Sequence, residues 1–173
     1  MNLEFDILYA IQNMHNPILD NIMVTISSLG NAGILWVVIA LILLISKKHR
    51  KMGIHMFIAM LLTLFVGNLI LKNLVQRERP CWIETTIPLL INNPKDYSFP
   101  SGHTMNSFTA AMCIFLHQKR WGIVAFVVAA LIAFSRMYLF VHFPTDIIIG
   151  MIIGISSALI INFLMNKQNR FIS

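Results

Sequence analysis

Apolar residues along this chain fall into long runs separated by short polar clusters, and most runs are long enough to cross a bilayer as helices. The first stretch is different: residues 3–14, LEFDILYAIQNM, set Leu3, Ile7, Leu8 and Ile11 at helical spacing among Glu4, Asp6, Gln12 and Asn13. It is too short and too polar to span, and its pattern predicts an interfacial helix ended by Asn16 and Pro17. From Ile18 the chain turns apolar, breaks at Gly30-Asn31-Ala32-Gly33, and carries no charge from Ile34 to Ile45. Either one kinked helix begins near Ile22, or a short helix precedes the true span. Further spans are predicted from Ile54 to Leu71, from Thr104 to the HQKR cluster at 117–120, from Trp121 to Phe134, and from Ile147 to Leu164. Residues 73–100 hold Pro80, Pro88, Pro94 and Asn92-Asn93 and read as a long connection. Loops of that length in a compact protein are commonly functional.

Composition sharpens this picture. The chain is 57% hydrophobic and 12% charged, against about 25% charged in an ordinary soluble domain. The expected fold is all-α, a polytopic transmembrane helix bundle of five spans (or six) plus the N-terminal interfacial helix, forming a single integral-membrane domain over residues 1–173. The net charge of +6 does not point to nucleic acid, because the basic residues form no soluble face interleaved with aromatics. Instead KKHRK at 47–51, Lys119-Arg120 and the tail residues Lys167 and Arg170 fall on one side when five spans alternate, and the positive-inside bias makes that side cytoplasmic. The acidic N-terminal stretch and the long connection then lie outside. Arg77, Arg79, Lys95 and Arg136 run against that bias, which suggests that function retains some of them. Cys81 and Cys113 supply neither a disulfide framework nor a four-ligand zinc site. No basic n-region of a cleavable signal opens the sequence, so insertion is expected to rest on the internal helices.

Ionisable groups at membrane boundaries are costly and default to functional hypotheses. Here they form three clusters. Lys72 and Arg79 are seven positions apart, about two turns if the helix continues to Pro80; a point charge and a planar fork together suit a multiply charged phosphate. The bland alternative is Lys72 snorkelling and Arg79 touching headgroups. Pro100-Ser101-Gly102-His103 stands where the loop becomes a helix. Ser101 is placed as N-cap, Gly102 lets backbone amides approach an anion, and His103 is positioned to act as a general acid. A capping serine beside an incidental histidine reads the same way. The third cluster runs from Ser135-Arg136 to His142 and Asp146. Pro144 suits the first position of the last helix, so Asp146 in its first turn can fix the tautomer of His142 and leave the other ring nitrogen free to attack phosphorus. The structural alternative is a polar plug in which Arg136 pairs with Asp146. No G-x-S-x-G elbow supports a serine nucleophile, and no H-E-x-x-H supports a metal.

These three segments, Lys72-x6-Arg79-Pro80, Pro100-Ser101-Gly102-His103 and Ser135-Arg136-x5-His142-x3-Asp146, resemble the signature of the type 2 phosphatidic acid phosphatase superfamily at every position and in order. The resemblance implies His142 as nucleophile, Asp146 as its orienting partner and His103 as general acid. Lys72, Arg79, Ser101, Gly102 and Arg136 are implied as the phosphate cradle, with no metal and no cofactor. Membrane members of the superfamily are described with six spans and act on lipid phosphates or diphosphates from the outer face. The superfamily also includes soluble vanadium-dependent haloperoxidases, which hold vanadate in a similar cradle, but the hydropathy of this chain argues against that branch. The expected activity is thus a lipid phosphatase in a bacterial cytoplasmic membrane, with undecaprenyl diphosphate favoured over phosphatidylglycerol phosphate or phosphatidate. The alternatives are a lipid phosphotransferase using the same histidine and, more distantly, a non-enzymatic anion-binding membrane protein.

Overall fold

A computed structural model describes residues 3–172, with side chains as far as Lys167. Arg170, assigned to the basic tail from sequence, has its side chain outside the described residues. Helices account for nearly all regular structure. They are α1 (Leu3–Gln12), α2 (Pro17–Leu29), α3 (Ile34–Ile45), α4 (Arg50–Thr63), α5 (Lys72–Val75), α6 (Pro80–Ile83), α7 (Gly102–His117), α8 (Lys119–Tyr138) and α9 (Pro144–Ile172). Their starts follow local chemistry. Asn16 caps α2 by accepting from the Leu19 N–H at 2.9 Å, Ser101 caps α7, and Pro17, Pro80 and Pro144 open their helices at a position where no N–H is needed.

Among the described residues, three helical stretches are long and apolar enough to cross a membrane, beginning at Arg50, Lys119 and Pro144; the pair Pro17–Leu29 and Asn31–Ile45, bent by 43°, makes a fourth if it is one broken span. The break expected at Gly30 is therefore present. Its 3₁₀ turn, Asn31–Gly33, places Ala32 and Gly33 at positive φ. The faces of α3, α8 and α9 turned away from the protein carry exposed Val38, Ile42, Ile45, Ile123, Val127, Ile152, Ile160 and Phe163, as a surface solvated by acyl chains requires. This is an integral membrane protein.

The axis of the bundle is α7, which packs against α3, α4, α8 and α9. At 16 residues it is about 24 Å long, and its small buried residues, Ser107, Thr109, Ala110 and Ala111, let neighbours approach closely. Along α7, Trp36 Nε1–H donates to Ser107 Oγ at 2.9 Å, and the hydroxyls of Thr63 and Thr109 meet at 2.9 Å. Because α4, α7, α8 and α9 alternate in direction, the end of α5 and the starts of α7 and α9 come together with the end of α8. At the opposite end the loops meet through Gln118 Nε2 and His49 Nδ1 at 3.1 Å.

Two sequence expectations change. The N-terminal helix does not simply rest on the bilayer: Leu8 is fully buried, and it packs with Ile11 against the turn between α8 and α9, in a cluster with Tyr138, Leu139, Phe140 and Phe143. Its polar face also turns onto the protein, where Glu4 binds Arg77 and Thr145. The second span, placed at Ile54–Leu71, is not a regular helix to its end, and the helix does not continue to Pro80. It becomes π-helical over Leu64–Leu71, resumes as α5, and stops at Val75.

Candidate active site

Lys72 and Arg79 come together across a helix break, so the two-turn spacing that a helix continuing to Pro80 would have given them does not apply. Gln76 takes a left-handed conformation (φ 48°), its N–H closing on the Lys72 carbonyl, and Arg79 is extended. The physical reason is Pro80, which disfavours a helical residue before it. Both side chains are buried and converge on Asp96: Lys72 Nζ ion-pairs with Oδ2, and Arg79 Nη2 donates to Oδ1 at 2.9 Å. Burial acts to raise the Asp96 carboxyl, but the Lys72 hydrogen bond and the charges of Arg79 and Lys72 prevail and lower it to about 2. Arg79 is further fixed by bonds from Nε to the Asp96 carbonyl and from Nη1 to the Val141 carbonyl, both 2.7 Å.

At the start of α7, the buried Ser101 hydroxyl accepts from the Thr104 hydroxyl at 3.0 Å, and the Ser101 N–H donates to the Asp146 carbonyl at 3.2 Å. The capping role read from the sequence is thus what occupies this side chain. His103 points from the first turn towards Asn31, donating from Nε2 to Oδ1 at 3.0 Å. Arg136, in the last turn of α8, donates to Ser27 Oγ at 2.6 Å and does not pair with Asp146.

His142 lies in the turn joining α8 to α9, where Phe140 adopts positive φ (58°). Asp146, wholly buried, accepts from the Phe143 N–H at 2.9 Å and from the Ser98 hydroxyl on Oδ2, and from Arg77 Nη1 at 2.9 Å on Oδ1. The His142 ring sets Nδ1 3.6 Å from Asp146 Oδ2 and 3.4 Å from Ser98 Oγ, while Arg79 Nη1 approaches Nε2 at 3.1 Å. One nitrogen therefore faces a carboxylate and the other a guanidinium. Burial first, then the charges of Arg79, Arg136 and Lys72, hold the imidazole well below its ordinary range, so it is neutral near pH 7.

A cavity of about 750 Å³ opens over these groups and is lined by Lys72, Arg79, Gly102, His103, Arg136 and His142. Ser101 and Asp146 are not in its wall; they stand behind Gly102 and His142 respectively. Within the described residues, the buried side-chain atoms without a hydrogen-bond partner are Asn68 Oδ1 and Arg136 Nε, and both residues line this cavity. Three cations around one neutral, oriented imidazole can hold a tetrahedral polyanion while a nitrogen attacks it. No group of three or more His, Cys, Asp or Glu suited to a metal occurs among the described residues.

Sequence reading missed Ser98, for which a serine in an unpatterned loop gives no signal. It counted Arg77 among the outer basic residues without giving it a role, and it assigned nothing to Asp96. It read Asn31 only as part of a break and passed over Asn68 and Asn106, all three in the cavity wall, although an asparagine within the apolar run 54–71 is costly enough to have drawn notice.

The model of the PAP2 superfamily matches residues 52–170. An undecaprenyl-diphosphatase from Sulfolobus acidocaldarius is 34% identical over 79% of this chain and 66% of its own length, so the chain spans just under two thirds of that relative. Phosphatidylglycerophosphatase B of Bacillus subtilis is 31% identical, over 91% of this chain and 81% of its own length. The crystal structure of Aquifex aeolicus LpxE superposes with a TM-score of 0.81 at 29% identity, covering 93% of this chain and 95% of that one.

Proposed function

This chain belongs to the PAP2 superfamily, and from that premise we propose that it hydrolyses phosphate from a lipid phosphate or diphosphate, without a metal, through a phosphohistidine. The observation that carries the reading is His142 itself: its Nδ1 is turned to Asp146, and its Nε2 faces a cavity walled by Lys72, Arg79 and Arg136. Nε2 attacks phosphorus, the three cations hold the non-bridging oxygens, and the bond to the leaving oxygen breaks as His103 protonates it. Water then attacks phosphorus, its proton passing to His103, the phosphorus–nitrogen bond breaks with its electron pair returning to Nε2, and free phosphate leaves. Entry of a phosphate exchanges Asp96 for the substrate as the partner of Lys72 and Arg79.

The relatives named an undecaprenyl-diphosphatase and a phosphatidylglycerophosphatase support a lipid substrate. We favour undecaprenyl diphosphate, on the likeness to the undecaprenyl-diphosphatase, with phosphatidylglycerol phosphate and phosphatidate as competitors. The five-span arrangement counts α7 as a span beside the bent pair and the helices from Arg50, Lys119 and Pro144. It puts the basic loops inside and the cavity on the outer face of a bacterial cytoplasmic membrane.

Purified protein in detergent, assayed with chelator present against these three lipids, is expected to release phosphate, with undecaprenyl diphosphate cleaved fastest. His142→Ala and His103→Ala should each lose about a hundredfold or more. Equal release by wild type and both variants would remove the catalytic assignment, and loss of wild-type activity with chelator would show a metal requirement.

A further inference from the structure

We propose that Arg77 is a positioning residue for the His142–Asp146 pair, and that α1 holds Arg77 in place through Glu4. The inference rests on the reading of His142 as the reacting group and extends it to a segment outside the family match, which begins at residue 52.

Residue 77 acts on both oxygens of the buried carboxylate. Its side chain donates from Nη1 to Asp146 Oδ1 at 2.9 Å, and its carbonyl accepts from the Ser98 N–H at 2.8 Å, which sets the Ser98 hydroxyl on Oδ2. With Phe143 N–H also on Oδ2, the carboxylate is clamped with that oxygen towards His142 Nδ1. Arg77 itself is anchored on three sides. Nη2 ion-pairs with Glu4 Oε2, Nη1 reaches Thr145 Oγ1 at 2.7 Å, and the guanidinium sits 4.0 Å above the Phe143 ring. The second Glu4 oxygen accepts from the Thr145 hydroxyl at 2.6 Å, closing a ring of Glu4, Arg77 and Thr145 around the first turn of α9. Phe5, next to Glu4, packs edge-on against Phe143 with centroids 5.3 Å apart. The N-terminal helix is thereby a wall of the catalytic apparatus.

Arg77 does not line the cavity, so it acts through Asp146 and not on substrate. A buried carboxylate with no cation on its outer oxygen would take its compensation from His142 instead, holding that ring protonated and its Nε2 without a lone pair. The groups facing His142 are Asp146 from α9, Arg79 and Lys72 from the segments around α5 and α6, Arg136 from α8, His103 from α7 and Ser98 from the long loop. None of these residues is itself replaced in an Arg77 variant.

The test is a ring-nitrogen NMR titration of His142 in detergent-solubilised protein, assigned with His142→Gln, for wild type, Arg77→Gln, Arg77→Lys and Glu4→Gln. It requires no substrate and so stands whether or not the lipid reading holds. Arg77→Gln is expected to raise the His142 midpoint by about one pH unit or more. Arg77→Lys should recover most of that shift, and Glu4→Gln should move it in the same direction by less. On short-chain phosphatidate the acid limb of kcat/KM should move upward in parallel, with kcat falling and KM nearly unchanged. An unmoved His142 midpoint in folded Arg77→Gln overturns the proposal. So does a loss of kcat that Arg77→Lys fails to relieve and that comes with no shift of the profile.

Discussion

Burial and three neighbouring cations act on His142 in the same direction, and that has a consequence for stability as well as for nucleophilicity. In the unfolded chain the ring titrates near 6.5; in the fold it titrates well below that. Between these two values the unfolded state binds a proton that the native state refuses, so stability is lost as pH falls below about 6.5 and is unaffected above it. Melting temperature in detergent is therefore expected to decline from pH 7 to pH 5 more steeply for wild type than for His142→Gln; parallel declines would show that His142 is not the neutral group described. Asp96 stays ionised across that range, since its carboxyl lies near 2, so its hold on Lys72 and Arg79 does not confuse the comparison. Among the residues, those with a motif spacing were legible from sequence. Ser98 and the role of Arg77 were not, because their function is contact with Asp146 from 48 and 69 positions away, which no local pattern records.

Helix contacts translate directly into site geometry because α7 and α9 lie backbone to backbone below the cavity. A Cβ added at Gly154 would stand 2.5 Å from the Met105 carbonyl oxygen and 3.0 Å from the Thr109 nitrogen, both backbone atoms of α7. Nearer the site, the same interface carries the bond from Ser101 N–H to the Asp146 carbonyl. Gly154→Val is accordingly expected to cost about 1–3 kcal/mol by forcing the helices apart, and to lower kcat even where the protein remains folded, as thermal melting and turnover measured on the same sample would reveal. Wild-type values for both would mean that α9 can shift without disturbing Asp146. Helix existence was well marked in the sequence by long apolar runs and by Asn16, Pro17, Ser101 and Pro144. The irregular parts were less so. The π-helical Leu64–Leu71 has the same apolar composition as a regular helix, and Gln76 carries no glycine-like signal of its positive φ.

For the molecule as a whole, alternating helices deliver three distant segments to one end of the bundle, while α1, an acidic segment outside the family match, packs over the turn that bears His142. Charge at the loops indicated that all three clusters share a side, which the fold satisfies. It could not indicate that α1 would turn its polar face onto Arg77, because amphipathic spacing is the same for a helix on lipid as for one on protein. In the proposed mechanism every part of this architecture serves a covalent bond between phosphorus and His142 Nε2. The direct measurement is to mix the protein with a radiolabelled lipid phosphate, quench in alkali during turnover, and locate the label by mass spectrometry of the peptide containing residues 137–147. A base-stable, acid-labile phosphoryl group on His142 is expected, forming and decaying at the rate of turnover and absent from His142→Ala. Phosphate release at full rate with the label on another side chain would contradict a histidine nucleophile.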